Sequence, residues 1–276
     1  MPTTTIPVPA AGTPPATGHP SPAGVLRSEW TKLRSVRSTV WSLLALAVVT
    51  VGMGALICVA VNNRWSTFGP LERLHFDPTS RSLRGIFLAQ LAIGVLGILA
   101  ITSEYGTGMI RATLAAVPNR PLVLAAKAAV FGAVALVVSE VVTFAAFLVG
   151  QSLLTSPVPH ATLGQPGVLR AVAGSGLYLA VLGLLALGLG SIIRHTAGAI
   201  STFVALLLIL PLLLQAFPAS VQTSVSKFLP LTIASSMISV HPTTDAFSPW
   251  VGFGLLCVYA AAFLVVAGAL FVRRDA

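Results

Sequence analysis

Residues 171–217 read AVAGSGLYLAVLGLLALGLGSIIRHTAGAISTFVALLLILPLLLQAF. Two uncharged apolar runs, Ala171–Ile193 and Ala197–Phe217, are separated only by Arg194, His195 and Thr196. The hydrocarbon core of a bilayer is about 30 Å thick, and a helix crosses it in about 20 residues. Both runs meet that length. Neither alternates polar with apolar residues as a barrel strand would. The stretch therefore reads as two membrane-spanning helices joined by a three-residue polar turn.

The same test, carried outward, finds four more spans: Val40–Val61, Ile86–Thr102, Ala128–Gly150 and Trp250–Val272. The second is short but free of charge; the third is interrupted by Glu140; the sixth ends against Arg273 and Arg274. Composition agrees. The 276 residues are 55% hydrophobic and only 8% charged, where a soluble domain carries about 25%. An ordinary cytosolic enzyme, a disordered protein and a coiled coil are excluded. The expectation is an all-α membrane protein with six spans. Glycines within the spans (Gly183, Gly188, Gly190) allow close helix contact.

Before the first span lie two unlike segments. Residues 1–24 hold seven prolines and little apolar surface, which predicts a disordered tail. Residues 25–38 (VLRSEWTKLRSVRS) place Leu26, Trp30 and Leu33 at i, i+4 and i+7, while Arg27, Lys32, Arg34 and Arg37 point elsewhere. That pattern predicts a basic amphipathic helix lying in the headgroup plane; a solvated basic linker is the alternative.

Sixteen basic and seven acidic residues give a net charge of +9. In so apolar a chain the partners of those cations are lipid headgroups and not nucleic acid. Six spans put both termini on one side. That side carries ten Lys and Arg residues against six on the other, which predicts cytoplasmic termini in a cell membrane. The tight Arg194–Thr196 turn and the terminal Arg273–Arg274 pair are the clearest individual signals.

No Gly-x-x-x-x-Gly-Lys-[Ser/Thr] loop is present, so the chain has no recognisable means of holding ATP. The five histidines are scattered without ligand spacing, and Cys58 and Cys257 sit in apolar runs; neither a metal nor another cofactor is expected. Ser175, in a Gly-Ser-Gly context, has no histidine in a later span to make an intramembrane protease, and is read as a small residue at a helix contact. Glu140 is the one acid in mid-span. It costs roughly 2.5–3.5 kcal/mol on insertion scales and reads either as a polar group on a proton or substrate path or as a protonated structural acid.

The loop between the second and third spans, Ser103–Lys127, reads SEYGTGMIRATLAAVPNRPLVLAAK. Gly106 and Gly108 give a tight turn, and Met109–Val117 reads as a short helix with Met109, Ile110, Leu114 and Val117 on one apolar face. Pro118 stops it and Pro121 starts the next helix. Such a helix, with Arg111 and Arg120 nearby, suits a groove on a cytosolic partner, or else rests on lipid.

The run Glu104-Tyr105-Gly106-Thr107-Gly108-Met109-Ile110-Arg111, followed by Leu114, Pro118, Asn119 and Arg120, resembles the Glu-Tyr-x-x-Gly-Thr…Leu…Pro-x-x-Arg stretch of type-2 ABC exporter permeases. Residues 29–38 are similar to the amphipathic entry helix of the high-GC Gram-positive members, and Phe228-Leu229-Pro230 is more weakly similar to the family's outer loop. Gly106 stands where the family has a second polar residue. The resemblance covers residues 25–276 and is most specific at 29–41 and 103–121. It implies a non-enzymatic permease subunit of an exporter, coupled through its first cytosolic loop to a separate ABC ATPase subunit and paired with a second permease copy or paralogue. The rival readings are a proton-coupled secondary transporter centred on Glu140 and a non-transporting membrane scaffold. Residues 40–150 and 171–272 share no motif, whereas secondary carriers often repeat half their helices.

Overall fold

The computed structural model describes residues 21–35, 37–241 and 246–273; the tail expected over 1–20 lies outside them. The described chain is all-α. Among these residues six helices are long and apolar enough to cross a membrane: Thr39–Thr67, Pro78–Gly106, Arg120–Leu153, Val168–Ile193, Thr196–Leu214 and Pro249–Arg273.

The described chain begins with α1 (Pro22–Ser35), three residues earlier than the hydrophobic pattern shows. The Ser21 hydroxyl accepts the Gly24 backbone N–H at 3.2 Å, and Pro22 occupies the first turn, where its missing N–H is not needed. The first span is α2 (Arg37–Arg64), followed by the short α3 (Pro70–Leu74). The second span is broken into α4 (Pro78–Leu83) and α5 (Ile86–Gly106). α4 is capped by Asp77, whose carboxylate accepts from Thr79 and Ser80. A short α6 (Met109–Ala116) leads into the third span, α7 (Arg120–Leu153). The apolar run shows only 128–150 of α7. The helix starts eight residues sooner because the Asn119 side chain caps it, accepting from Leu122 N at 3.2 Å, and Pro121 fits its first turn. That extension carries Lys127 into a helix.

The fourth span, α8 (Val168–Ile193), stands at the centre, packed by α5, α7 and the sixth span, α13 (Pro249–Arg273). Glycine makes the closest contact possible: a side chain at Gly97 would run into the backbone carbonyl of Gly183. The fifth span is assembled from α9 (Thr196–Val204), a π-turn at Ala205–Ile209 and α10 (Leu210–Leu214), which contains Pro211. Two short helices, α11 (Ala219–Ser226) and α12 (Pro230–Ile238), connect it to α13. Spans four and five differ sharply in enclosure. The apolar window of span four is 72% buried and that of span five 17%, so α8 is the core and the fifth span is periphery.

The two ends of the bundle have different contents. One gathers α4, the start of α8 and the end of α12, tied by Asp77 accepting Val240 N at 2.9 Å and by Arg170 donating to Ser239 O at 2.6 Å. The other gathers α1, α6, the α8–α9 turn and the C-terminal end of α13.

Candidate functional site at the α1–α6 end of the bundle

α1 meets α7 along an unexpected stripe. Val25, Glu29 and Lys32, at i, i+4 and i+7, face the protein; Leu26, Trp30 and Arg34, at i, i+4 and i+8, face away. The sequence pattern places Lys32 with the outward cations, but its ammonium turns inward. Arg37 belongs to the same expected set; its side chain lies outside the described residues. Leu33 is partly buried against the main core.

Turning inward brings Lys32 into a closed ring of four charges. Lys127 Nζ donates to Glu29 Oε2 at 2.5 Å and to Glu104 Oε1 at 2.7 Å. Lys32 Nζ donates to Glu29 Oε1 at 2.7 Å and to Glu104 Oε1 at 3.3 Å. Signs therefore alternate around the ring and sum to zero. Glu29 and Glu104 are each 3% exposed and Lys127 is 4% exposed. Removing a charge from water costs several kcal/mol, and partners on both sides are what offset that cost. Burial alone would lower the pKa of Lys32, but hydrogen bonds and charges from Glu29 and Glu104 outweigh it and raise the pKa above the ordinary lysine value. The remaining oxygen of Glu104, Oε2, is buried without a hydrogen-bond partner. Beside the ring is a pocket of about 50 Å³ lined by Leu33, Leu96, Phe131 and the ring itself. It is the size of a few water molecules and not of a transported solute.

The ring holds α6 in place. Glu104 lies in the last turn of α5, directly before the reversal into α6. Gly108 supplies that reversal with φ of 71°, a left-handed conformation that glycine adopts without strain. Lys32 also donates to Thr113 Oγ1 of α6 at 3.0 Å. Val25 packs with Leu114, Val117, Val123 and Ala126 in a small apolar cluster.

The loop residues singled out from sequence thus divide in two. Thr107, Gly108, Met109 and Arg111 are exposed, as are Gly106 and Pro118. Glu104, Ile110 and Leu114 turn into the protein. The apolar face expected to dock into a partner or rest on lipid is largely covered by α1 and α7, and Glu104 faces Lys32 and Lys127. Tyr105 also turns inward, because the Arg194 guanidinium stacks 5.2 Å from its ring centre and Phe271 meets it edge-on at 6.5 Å. Arg194 Nη2 donates to Leu270 O, and Arg120 Nη1 donates to Phe271 O at 3.2 Å, so both loop arginines pin the end of α13.

Glu140 is elsewhere, midway along α7. Its carboxylate lies over Gly176 of α8, so that a β-carbon there would come within 2.6 Å of it. Among the described residues it makes no ion pair, and no group of three His, Cys, Asp or Glu side chains could hold a metal.

Sequence reading puts Lys127 and Arg194 on this side but misses that Glu29, Lys127, Thr113 and Arg194 make the contacts that fasten it. Two signals point to them: Glu29 is the only acid in an otherwise basic helix, and Lys127 stands inside a helix start that Asn119 and Pro121 mark. Compared with known proteins, the chain matches no family model and no curated protein sequence.

Proposed function

We propose that this chain is the membrane subunit of an ATP-driven transporter of the type-2 exporter class, coupled through α6 to an ATPase on a separate chain. One observation carries the reading. Between the second and third spans a two-turn helix is entered through a left-handed glycine, fixed from behind by the charged ring, and left with Met109, Arg111, Ala112, Ala115 and Ala116 outward. A lone amphipathic loop resting on lipid would have no need of such fixation, whereas a helix that transmits force must not slide on its own support.

In this reading the ring end of the bundle is cytoplasmic, with both termini there, and a second copy or paralogue completes the translocation path. The chain supplies the path and the moving contact; the partner supplies hydrolysis. Gating is a shift between inward-facing and outward-facing populations driven by differential binding of the ATPase.

The test uses the exposed face of α6, because buried Glu104 cannot report a partner contact. The chain is co-expressed with an ATP-binding-cassette subunit encoded beside it, and ATP hydrolysis is measured in vesicles. Arg111→Glu and Ala112→Glu should lower stimulated hydrolysis and co-purification while shifting the unfolding midpoint little, since exposed substitutions change stability by about 0.5 kcal/mol or less. Gly108→Pro should also lower hydrolysis and co-purification, here with a drop in the unfolding midpoint, because proline locks φ near about −65° and cannot make the left-handed turn. Unaltered hydrolysis in all three variants removes α6 as the coupling site.

A further inference from the structure

α1 has two faces with separate tasks. Its inner face is committed to the ring. Its outer face carries Arg27 and Arg34, both exposed, with Leu26 39% and Trp30 50% exposed beside them. The only acid of α1, Glu29, is held inside the ring, so the outward charge is positive throughout. Cations flanking an exposed leucine and tryptophan match a surface that is anionic at its face and apolar just beneath it. That is a bilayer containing acidic phospholipid, where tryptophan is favoured at headgroup depth. Only residue 36 separates α1 from α2, the first span, which places α1 at the membrane edge.

We propose that α1 senses anionic lipid, and that its seating on the membrane is passed to α6 through the Glu29–Lys32–Glu104–Lys127 ring. This regulation rests on reading α6 as the coupling helix. The transmission is mechanical and electrostatic. α1 cannot lift from α7 without breaking Glu29–Lys127, and it cannot shift along α7 without drawing Glu104 through Lys32. Lys32 reaches Thr113 directly, and Val25 shares an apolar cluster with Leu114 and Val117. A displacement of α1 is therefore felt in the second half of α6 and, through Glu104, at the end of α5 that leads into it.

The experiment uses the full chain in nanodiscs of phosphatidylcholine with increasing phosphatidylglycerol. Cys58 and Cys257 are replaced by alanine, and spin labels are placed at Thr31→Cys on α1 and Ala112→Cys on α6, both exposed positions. Phosphatidylglycerol should narrow the distance distribution between the labels. Arg27→Gln and Arg34→Gln should each raise the lipid requirement, about fivefold per cation removed. In the paired variant Lys32→Met with Glu104→Gln, which leaves Glu29 and Lys127 to pair and removes the contacts of α1 to Glu104 and Thr113, the label on α1 should still report lipid contact by collision quenching, but the distance should lose its lipid response. A distribution identical in the two lipids overturns the proposal. So does a lipid response that persists in the paired variant. Lipid-dependent distances together with no association of any ATP-binding subunit would keep the sensor and remove the coupling reading, so the two claims fail separately.

Discussion

Glu104 and Glu140 are both acids of a membrane bundle, and they are accommodated in opposite ways. Glu104 is almost wholly buried and has two lysines, each shared with a second glutamate. Glu140 is half-buried with no ion pair among the described residues; its carboxylate rests on the bare backbone of Gly176. The first solution neutralises charge with charge. The second removes a side chain from the neighbouring helix, which leaves room for the carboxylate. A ring fixes the relative positions of three elements, whereas a glycine notch fixes one contact between two. The ring is therefore the feature suited to transmitting motion, and Glu140 is suited to holding α7 on α8.

The largest effect expected from breaking this contrast is at Lys127. Lys127→Ala leaves two buried carboxylates sharing Lys32, and removing one partner of a buried pair costs about 3–5 kcal/mol. The thermal unfolding midpoint in detergent should fall far below that of the native chain. Charge order gives the next test. Glu104→Lys combined with Lys127→Glu restores an opposite-charge pair between those two positions. It also sets the new cation against Lys32 and the new carboxylate against Glu29, so little stability should return. Inverting all four charges keeps the alternation and should recover most of it. Equal recovery by the two-residue exchange would mean that the ring acts as one ordinary pair.

At Glu140 the effects are smaller. Gly176→Ala puts a methyl group into the carboxylate, and overpacking of this kind costs about 1–3 kcal/mol. The cost should shrink in a Glu140→Ala background, giving a non-additive double variant in the same unfolding assay. Smallest is Glu140→Gln, which keeps the shape and polarity of the side chain over Gly176 and should cost less than about 1 kcal/mol, with abundance and transport near native; Glu140→Ala alone should cost more. Loss of transport in Glu140→Gln at normal abundance would instead make this group a proton carrier.

Much of the fold is legible in the chain. Six runs of apolar residues specify six spans whatever surrounds them, because the cost of leaving backbone and charge in hydrocarbon falls on each segment separately. The α6 helix is equally legible, since Gly108 and Pro118 bound it by local backbone chemistry. Helix starts are harder. Pro121 marks the start of α7 well ahead of its apolar run, but Ser21 extends α1 beyond its pattern, and a capping side chain leaves no mark in hydropathy. Hydrophobic periodicity also assigns α1 its outward stripe, Leu26 and Trp30, but does not show that Val25, Glu29 and Lys32 are the face the protein uses. Polar residues facing inward look the same in sequence as polar residues facing water.

Spans, turns, the short helix and the basic character of α1 thus follow from what each residue dictates through its neighbours in the chain. The ring follows from nothing so local. Glu29, Lys32, Glu104 and Lys127 come from three separate helices, with Glu29 and Lys127 98 positions apart, and only their packing closes them together. Packing alone likewise set Glu140 over Gly176 and turned Tyr105 toward Arg194. A buried charge is tolerable only beside its opposite, and which opposite comes within about 3 Å is settled by how helices meet in space.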